Sequence, residues 1–212
     1  MLCELYSGTK FNFNSFSPKD IHKQDIARGL AYQCRFNGHC DRFYSVAEHS
    51  MRVAEACRNA AMTQEEGKRL WALGLLHDAA EAYVGDMVST LKKQCPTFCD
   101  IEDQVESAIH DRFGLGDPTL EEGSLVYKID KWVLVWEMEH LGFDPKNFPQ
   151  DPMEVPPGVW ASFNVLNPIG WTPDEAEERM KQALATLPYD SSPSPHSQQV
   201  SPLAQALAEL AG

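Results

Sequence analysis

The sequence predicts an all-α protein built as a single helical bundle. Apolar residues recur with a 3.6-residue period in several long stretches, the pattern of helices with one buried face. Several of these stretches open with serine or threonine followed three residues later by glutamate, which marks a helix start. A length of 212 residues and a hydrophobic content of 43% fit one domain with a substantial core. A weak alternation around Gly8 predicts only a short N-terminal arm.

Capping signals fix where the predicted helices begin. Ser45 with Glu48, and Thr63 with Glu66, match the capping box, in which a hydroxyl and a carboxylate each satisfy a free amide of the first turn. Thr172 supplies a cap for the last helix. We therefore expect five or six main helices. The clearest of them run from 46 to 61, from 63 toward 83, from 101 to 113, from about 120 to 140, and from 173 to 187.

These helices are predicted to form one domain over residues 1–187. Its core covers 25–141, a proline-rich flap covers 143–171, and a closing helix covers 173–187. Residues 188–212 are a Ser/Pro linker followed by a marginal helix. This tail is predicted to be disordered because it contains too little apolar surface to offset the entropy of ordering.

The net charge limits the classes of molecule that this protein can bind. Eighteen Lys+Arg against thirty-one Asp+Glu give a formal charge of −13, which would repel duplex nucleic acid but not one small anion held by a cation. The sequence shows no run of roughly 18 apolar residues to span a membrane and no signal-peptide pattern at its start. Six irregularly spaced cysteines indicate reduced thiols, so a cytoplasmic location is expected.

The segment that carries chemistry is LLHDAAEAYVGD, residues 75–86. On a helix, His77 and Asp78 would point about 100° apart, so both can reach one ion that lies between them. Glu81 follows His77 by four residues and would share its face. The small apolar neighbours indicate that this face is buried. A buried carboxylate needs a partner or a metal.

Two further helices add ligand-type residues to apolar faces. His49 lies between valines at helical spacing, and Asp130 interrupts an equally apolar stretch. An isolated His–Asp dipeptide would most simply be a self-satisfied buried pair. Three helices that each present a buried ligand group instead favour a metal site. Two imidazoles and two carboxylates suit Mn, Fe, Co or Zn.

These residues also carry a family resemblance. The order H…HD…D is the signature of the HD superfamily of metal-dependent phosphohydrolases. The strings RFYSVAEHS (42–50), LLHDAAEAYVGDM (75–87), KIDKW (128–132) and DIARGLAYQCRFNGH (25–39) resemble the branch of bacterial 5′-deoxynucleotidases and phage dATP triphosphohydrolases. The similarity covers residues 25–137. It implies an HD-domain helical bundle and a homo-oligomeric assembly.

The resemblance also implies a metal site and the residues that hold it. The four metal ligands would be His49, His77, Asp78 and Asp130. The cofactor would be a divalent cation, Zn, Co or Mn, and a second ion could be Mg. Such an ion makes water nucleophilic near neutral pH.

Roles for the neighbouring residues follow from the same resemblance. Glu81 would orient or deprotonate the attacking water, and Asp86 would lie near the sugar and the scissile bond. Arg35 and the aromatic Phe36 would contact the nucleotide, and Lys92 would face the phosphate. Arginine offers phosphate a planar fork and lysine a point charge.

The leading functional hypothesis is a dATP triphosphohydrolase that releases deoxyadenosine and triphosphate. A 5′-deoxynucleoside monophosphatase is the alternative within the class, and both act on a small deoxynucleotide. A non-catalytic HD-fold sensor of nucleotide or metal belongs to another class. Glu81 and Asp86 argue against a sensor, which needs only the ligands. A structural zinc module would depend on cysteine spacings that do not match the C-x₂-C pattern.

Overall fold

Helices form almost all of the regular structure in residues 2–147 and 157–189, the parts of the chain that this computed structural model describes. The predicted all-α class is confirmed. Two short strands, β1 (Cys3–Glu4) and β2 (Lys10–Phe11), pair antiparallel in the N-terminal arm, with Cys3 opposite Phe11. The helices are α1 (Lys23–Tyr32), α2 (Val46–Ala60), α3 (Gln64–Leu76), α4 (Glu81–Val84), α5 (Ser89–Lys92), α6 (Pro96–Arg112), α7 (Leu120–His140), α8 (Pro157–Ser162) and α9 (Pro173–Ala185). The predicted tail, from residue 190, and part of the flap, 148–156, lie outside the described residues.

The starts of two predicted helices are confirmed. Thr119 and Thr172 form reciprocal capping boxes with the glutamates three residues later, and α7 and α9 begin where expected. The predicted second helix is wrong in its second half. α3 ends at Leu76, and residues 77–80 form turns before α4 begins. The flap, predicted without periodic structure, contains the short helix α8.

Helix α2 occupies the centre of the bundle and packs against α1, α3, α7, α8 and α9. Its apolar side chains contribute to two clusters. One includes Leu30 and Leu75, and the other includes Ile129 and Trp136. Each fully buried aliphatic side chain contributes about 1.5–3 kcal/mol. Because α2 lies between both clusters, any polar residue on its inner faces is removed from water.

A glycine allows α3 to approach α2 closely. A Cβ atom at Gly74 would lie 2.9 Å from Cys57 Sγ and 3.0 Å from the Cα of Ala54, closer than side chains pack. The backbone of α3 therefore packs directly on α2 near the C-terminal end of α3. The next residues along the chain, from His77 onward, leave α3 beside the buried face of α2.

The capping residues of α2 differ from the prediction. Ser45 Oγ accepts from the backbone N of Glu48, as expected. The Glu48 carboxylate does not return the bond, because it is fully buried and accepts from the backbone N of Gly170 and of Trp171, at 3.1 and 2.9 Å. The reciprocal box predicted from Ser45 and Glu48 is therefore wrong. The carboxylate holds a distant segment instead of its own helix start.

Arg52, one turn along α2, completes this buried connection. Its guanidinium donates to Glu48 Oε1 at 2.7 Å, to the carbonyl of Phe163 at 2.6 Å and to that of Leu166 at 3.1 Å. Arg52 is itself fully buried. The Glu48–Arg52 pair thus satisfies backbone groups of residues 163–171, a segment without regular structure to do so.

We expect Glu48→Gln to lower the free energy of unfolding by about 3–5 kcal/mol, because it leaves the buried Arg52 guanidinium without its counter-charge. Urea denaturation followed by circular dichroism measures this change. Lys68→Met is the control. It breaks the Lys68–Glu65 pair, whose side chains are 66% and 90% exposed, and should cost less than about 1 kcal/mol. Equal effects of the two substitutions would contradict the stabilising role proposed for the buried Glu48–Arg52 pair.

Candidate metal centre

Four ligand-type side chains converge beside the N-terminal turn of α2. His49 Nε2 lies 3.2 Å from His77 Nε2, 3.5 Å from Asp78 Oδ2 and 3.2 Å from Asp130 Oδ1. His77 Nε2 and Asp78 Oδ2 are 3.2 Å apart. The residues come from α2, from the turn after α3, and from α7. The structure therefore brings together all four residues predicted as ligands, and His49, His77 and Asp78 form a group able to hold a metal ion.

The orientation of the two imidazoles fits a metal site. His49 Nδ1 bonds to Glu137 Oε1 at 2.6 Å, and His77 Nδ1 bonds to the carbonyl of Gly74 at 2.8 Å. Because both Nδ1 atoms are engaged by acceptors, both Nε2 atoms are left to face the shared point. Outer partners of this kind fix the tautomer and orientation of ligating histidines.

The two aspartates are suited to bind a cation. Burial raises the pKa of Asp78, but the neighbouring His77 and His49 outweigh it and hold that pKa well below its usual range. The same balance, with His49 as the chief partner, holds the pKa of Asp130 low. Both are therefore carboxylates. Two imidazole nitrogens and two carboxylate oxygens form a mixed donor set that fits a divalent transition ion.

Glu137 is part of the site, although it is not among the site residues predicted from the sequence. It is fully buried and accepts from three groups: His49 Nδ1, the Tyr44 hydroxyl at 2.8 Å, and Arg35 Nη2 at 3.2 Å. Its pKa is raised by burial, but Arg35 and His49 bring it below the ordinary value. The signal available in the sequence was its spacing of two helical turns from Asp130, which places both on one face of α7.

The break between α3 and α4 determines how His77 and Asp78 are presented. Backbone bonds here span three residues, from Ala79 N to Leu76 O and from Glu81 N to Asp78 O, the tighter 3₁₀ pattern. The relative directions of His77 and Asp78 are set by this turn instead of by a continuous helix. A new short helix then begins at Glu81.

Gln33, which sequence reasoning missed, fixes the segment that carries Glu81 and Asp86. Its Nε2 donates to the Glu81 carbonyl at 2.9 Å, and its Oε1 accepts from Asp86 N at 2.7 Å. Gly85 between them has a φ of +89°, a conformation that favours glycine. One side chain from the end of α1 therefore fixes the backbone at Glu81 and at Asp86, the two residues predicted to supply catalytic carboxylates.

Glu81 is the least compensated carboxyl group of this region. It is 6% exposed, and its Oε2 has no hydrogen-bond partner among the described residues. Burial, together with the charges of Asp78 and Asp86, raises its pKa to about 10. Burial also raises the pKa of Asp86. Perturbed carboxyl groups of this kind cluster at functional sites.

Arg35 lies against the ligand set rather than in solvent. Its side chain is 13% exposed, with Nη1 3.6 Å from Asp78 Oδ2 and Nη2 on Glu137. Phe36, in a left-handed conformation with φ +57°, packs on Phe143 with ring centroids 4.7 Å apart. Of the predicted pair, Arg35 therefore lies near the metal ligands, whereas Phe36 contacts Phe143 in the chain after α7.

Lys92 ends α5 and forms an ion pair with Glu102 of α6, with Nζ and Oε2 2.5 Å apart. Burial lowers its pKa, but Glu102, Glu81 and Asp78 raise it above the ordinary value. The lysine is therefore charged and lies within the field of the acidic site. Within the described residues, the group able to hold a metal contains no cysteine, which gives a structural zinc module no support.

We expect Glu137→Gln to weaken the binding of Mn²⁺ or Zn²⁺ by about 10- to 100-fold, because Glu137 orients the His49 ring. Competition titration against a chromogenic chelator measures the affinity. Glu139→Gln is a matched control on an exposed residue of the same helix and should leave the affinity unchanged. An unchanged affinity in a folded Glu137→Gln protein would contradict the role given to Glu137.

A second prediction concerns stability and pH. A carboxyl group whose folded-state pKa is raised binds a proton that the unfolded chain releases, so its presence lowers stability as pH rises from about 4.3 toward 10. We expect Glu81→Gln to raise the Tm of metal-free protein at pH 8 by about 2–4 °C or more. Differential scanning calorimetry at pH 5 and pH 8 tests this. The exposed Glu65→Gln is the control, and a lower Tm in Glu81→Gln would contradict the prediction.

Comparison with known proteins places this site in a family. A family model described as 5′-deoxynucleotidase YfbR-like matches residues 35–114, which include His49, His77 and Asp78. The uncharacterized protein YfdR of Escherichia coli (strain K12) is 32% identical over 145 residues, 68% of this chain and 75% of that protein. The uncharacterized protein RCAP_rcc00048 of Rhodobacter capsulatus is 40% identical over 114 residues, 52% of this chain and 57% of that protein. With its H…HD motif, the chain belongs to the HD superfamily of metal-dependent phosphohydrolases, and its residues 35–114 are similar to the YfbR-like family.

Proposed function

We propose that this enzyme hydrolyses the phosphate ester of 5′-deoxynucleoside monophosphates. The observation that carries the proposal is the position of Glu81, a buried carboxyl group with an unpartnered oxygen, one turn beyond His77 and Asp78. The description of the matching family as 5′-deoxynucleotidase supports the same reaction. The monophosphatase therefore replaces the dATP triphosphohydrolase as the preferred hypothesis.

The charges around the ligand set also favour a monophosphate. Three cations lie close by, and each is paired with a carboxylate: Arg35 with Glu137 and Asp78, Lys92 with Glu102, and Lys131 with Asp130. A triphosphate would bring several more negative charges into a protein of net charge −13. These paired cations offer little further compensation for it.

The metal would be held by His49, His77, Asp78 and Asp130, and when bound it would supply electrophilic activation of the phosphoryl group and of water. In the metal-free protein the raised pKa keeps Glu81 protonated, and the positive charge of a bound divalent cation would lower that pKa. The resulting carboxylate would take the proton of the attacking water through its free oxygen, as a general base. The new P–O bond forms as the bond between phosphorus and O5′ breaks. The same carboxyl group can return the proton to the departing deoxynucleoside oxygen.

Arg35 and Lys92 are proposed to contact the phosphate. The 3.6 Å separation between Arg35 Nη1 and Asp78 leaves that nitrogen able to donate to a phosphoryl oxygen, while Nη2 stays on Glu137. Lys92 supplies a second positive charge. Asp86, held by Gln33 through its backbone, is proposed to lie near the sugar.

A non-catalytic sensor is less well supported. Such a protein would need the four ligands, but it would gain nothing from a buried, uncompensated Glu81. Burial of an unpaired carboxyl group lowers stability, and sites that retain such strain are usually functional. Residues 2–147 and 157–189 contain no helix that is both long and apolar enough to cross a bilayer. A cytoplasmic location and a homo-oligomeric state remain predictions.

The test is a panel of deoxynucleoside mono- and triphosphates incubated with the Mn²⁺-, Co²⁺- or Zn²⁺-loaded protein. We expect release of inorganic phosphate from the monophosphates, and loss of turnover on addition of a chelator. Glu81→Gln should retain the metal and lose about 10²- to 10⁴-fold in kcat. Asp78→Asn should lose the metal itself.

Each outcome of this panel discriminates between the hypotheses. Release of inorganic triphosphate from dATP, with no cleavage of monophosphates, would restore the triphosphohydrolase. Metal and nucleotide binding without turnover would favour the sensor. If Glu81→Gln loses as much metal as Asp78→Asn, Glu81 is a ligand rather than the base.

A further inference from the structure

A cleft of about 250 Å³ opens directly from the metal ligands between α6 and α7. His77, Asp78 and Asp130 form its inner end, so the cleft is continuous with the candidate metal centre. Its outer part is lined by residues that the proposed reaction does not use, among them Glu106, His110 and Tyr127. His110 is buried, with 4% of its surface exposed.

Glu106 and His110 belong to a column of polar residues on one face of α6. Glu102, Glu106 and His110 follow one another at four-residue spacing, which aligns them along the helix. Glu102 holds Lys92, the proposed phosphate contact, at one end of this column. Glu106 and His110 continue it into the cleft, where their side chains lie 3.9 Å apart. The column therefore runs from the phosphate side of the site toward its opposite side.

The charge of the cleft determines which part of a nucleotide it can accept. Asp78, Asp130 and Glu106 bring carboxyl groups to its surface, and its described lining includes neither lysine nor arginine. Lys131 is not part of the lining, but its Nζ lies 2.8 Å from Asp130 Oδ2 and 5.0 Å from the centroid of the Tyr127 ring, so it offsets one of the three carboxyl groups and covers one face of that ring. A phosphate tail would be repelled from this surface. The uncharged nucleoside would not.

The remaining lining suits a flat, partly apolar ligand. Leu73 and Val126 provide apolar walls, and Tyr127, a residue that is 64% exposed, also lines the cleft. His110 has a side chain that is 5% exposed, and no described residue makes a hydrogen bond with its ring. Burial lowers the pKa of His110, so its neutral ring can both donate and accept. A few convergent polar groups in an apolar cleft are typical of small-molecule sites.

We propose that this cleft binds the nucleobase of the substrate, with Tyr127 as its stacking surface and with Glu106 and His110 as the side chains that contact its polar edge. The inference rests on the proposed function for the orientation of the substrate. Phosphate lies toward Arg35 and Lys92, and the base lies on the opposite side of the metal ligands. Glu106 and His110 are then the residues that determine base preference.

Substrates with and without a base test the subsite. We expect Tyr127→Ala to raise KM for deoxynucleoside monophosphates about tenfold, through loss of stacking. It should change kcat/KM for 2-deoxyribose 5-phosphate, which lacks a base, by less than about twofold. Glu106→Gln should alter the ratio of kcat/KM among the four monophosphates by about threefold or more, because one hydrogen-bonding group at the base edge changes. Leu120→Ala, an exposed apolar residue of α7, and the exposed Asp100→Asn of α6 are the controls.

Equilibrium binding of nucleosides to the Mn²⁺-loaded full chain gives a readout that needs no turnover. We expect deoxyadenosine or deoxycytidine to bind the wild-type protein, and Tyr127→Ala to weaken that binding about tenfold. The subsite is overturned if no nucleoside binds, or if folded Tyr127→Ala and Glu106→Gln change neither binding nor KM. An equal loss on nucleotides and on 2-deoxyribose 5-phosphate would also overturn it. Failure of the proposed function shows separately, as nucleoside binding without hydrolysis of any nucleotide.

Discussion

The whole arrangement depends on one constraint, which is that charged side chains buried along α2 must all find partners inside the bundle. Glu48, His49 and Arg52 are fully buried within two turns of one helix. An unpaired charge in such a place would cost several kcal/mol. The structure meets the constraint by drawing partners from distant parts of the chain. Those partners are the backbone of residues 163–171 on one side and Glu137 with the other ligands on the opposite side.

This constraint connects stability with the site. His49 is adjacent to Glu48 in sequence, so the pair that holds residues 163–171 and the ring that faces the metal share one rigid turn of α2. Gly74 allows α3 to lie against that helix, which brings His77 within 3.2 Å of His49. The close packing of α2 and α3 is therefore a geometric condition for the ligand set, and not only a source of apolar burial.

The site divides into regions of different charge. Arg35 lies 3.6 Å from Asp78 and Lys92 pairs with Glu102, whereas the described lining of the cleft between α6 and α7 contains neither lysine nor arginine. A nucleotide has the same polarity, with an anionic phosphate at one end and an uncharged base at the other. The protein's net charge of −13 makes this local separation more important, because the molecule as a whole does not attract anions.

The sequence by itself determined the helical class, the starts of α7 and α9, and the identity of four ligand-type residues. These features depend on local spacing and on the chemistry of individual side chains. His49 and Asp130 were recognisable because polar groups on apolar helical faces are costly.

Only the tertiary structure decided the break after Leu76, the bond between Glu48 and the distant backbone of Trp171, and the burial of Glu137 and His110. Local sequence favours a continuous helix through His77 and a reciprocal capping box at Ser45, and each of these was wrong. The physical reason is common to all of them. A side chain's partner across the bundle, such as Gly170 for Glu48 or His49 for Glu137, is separated from it by more than eighty residues. Spacing along one helix contains no information about such a contact.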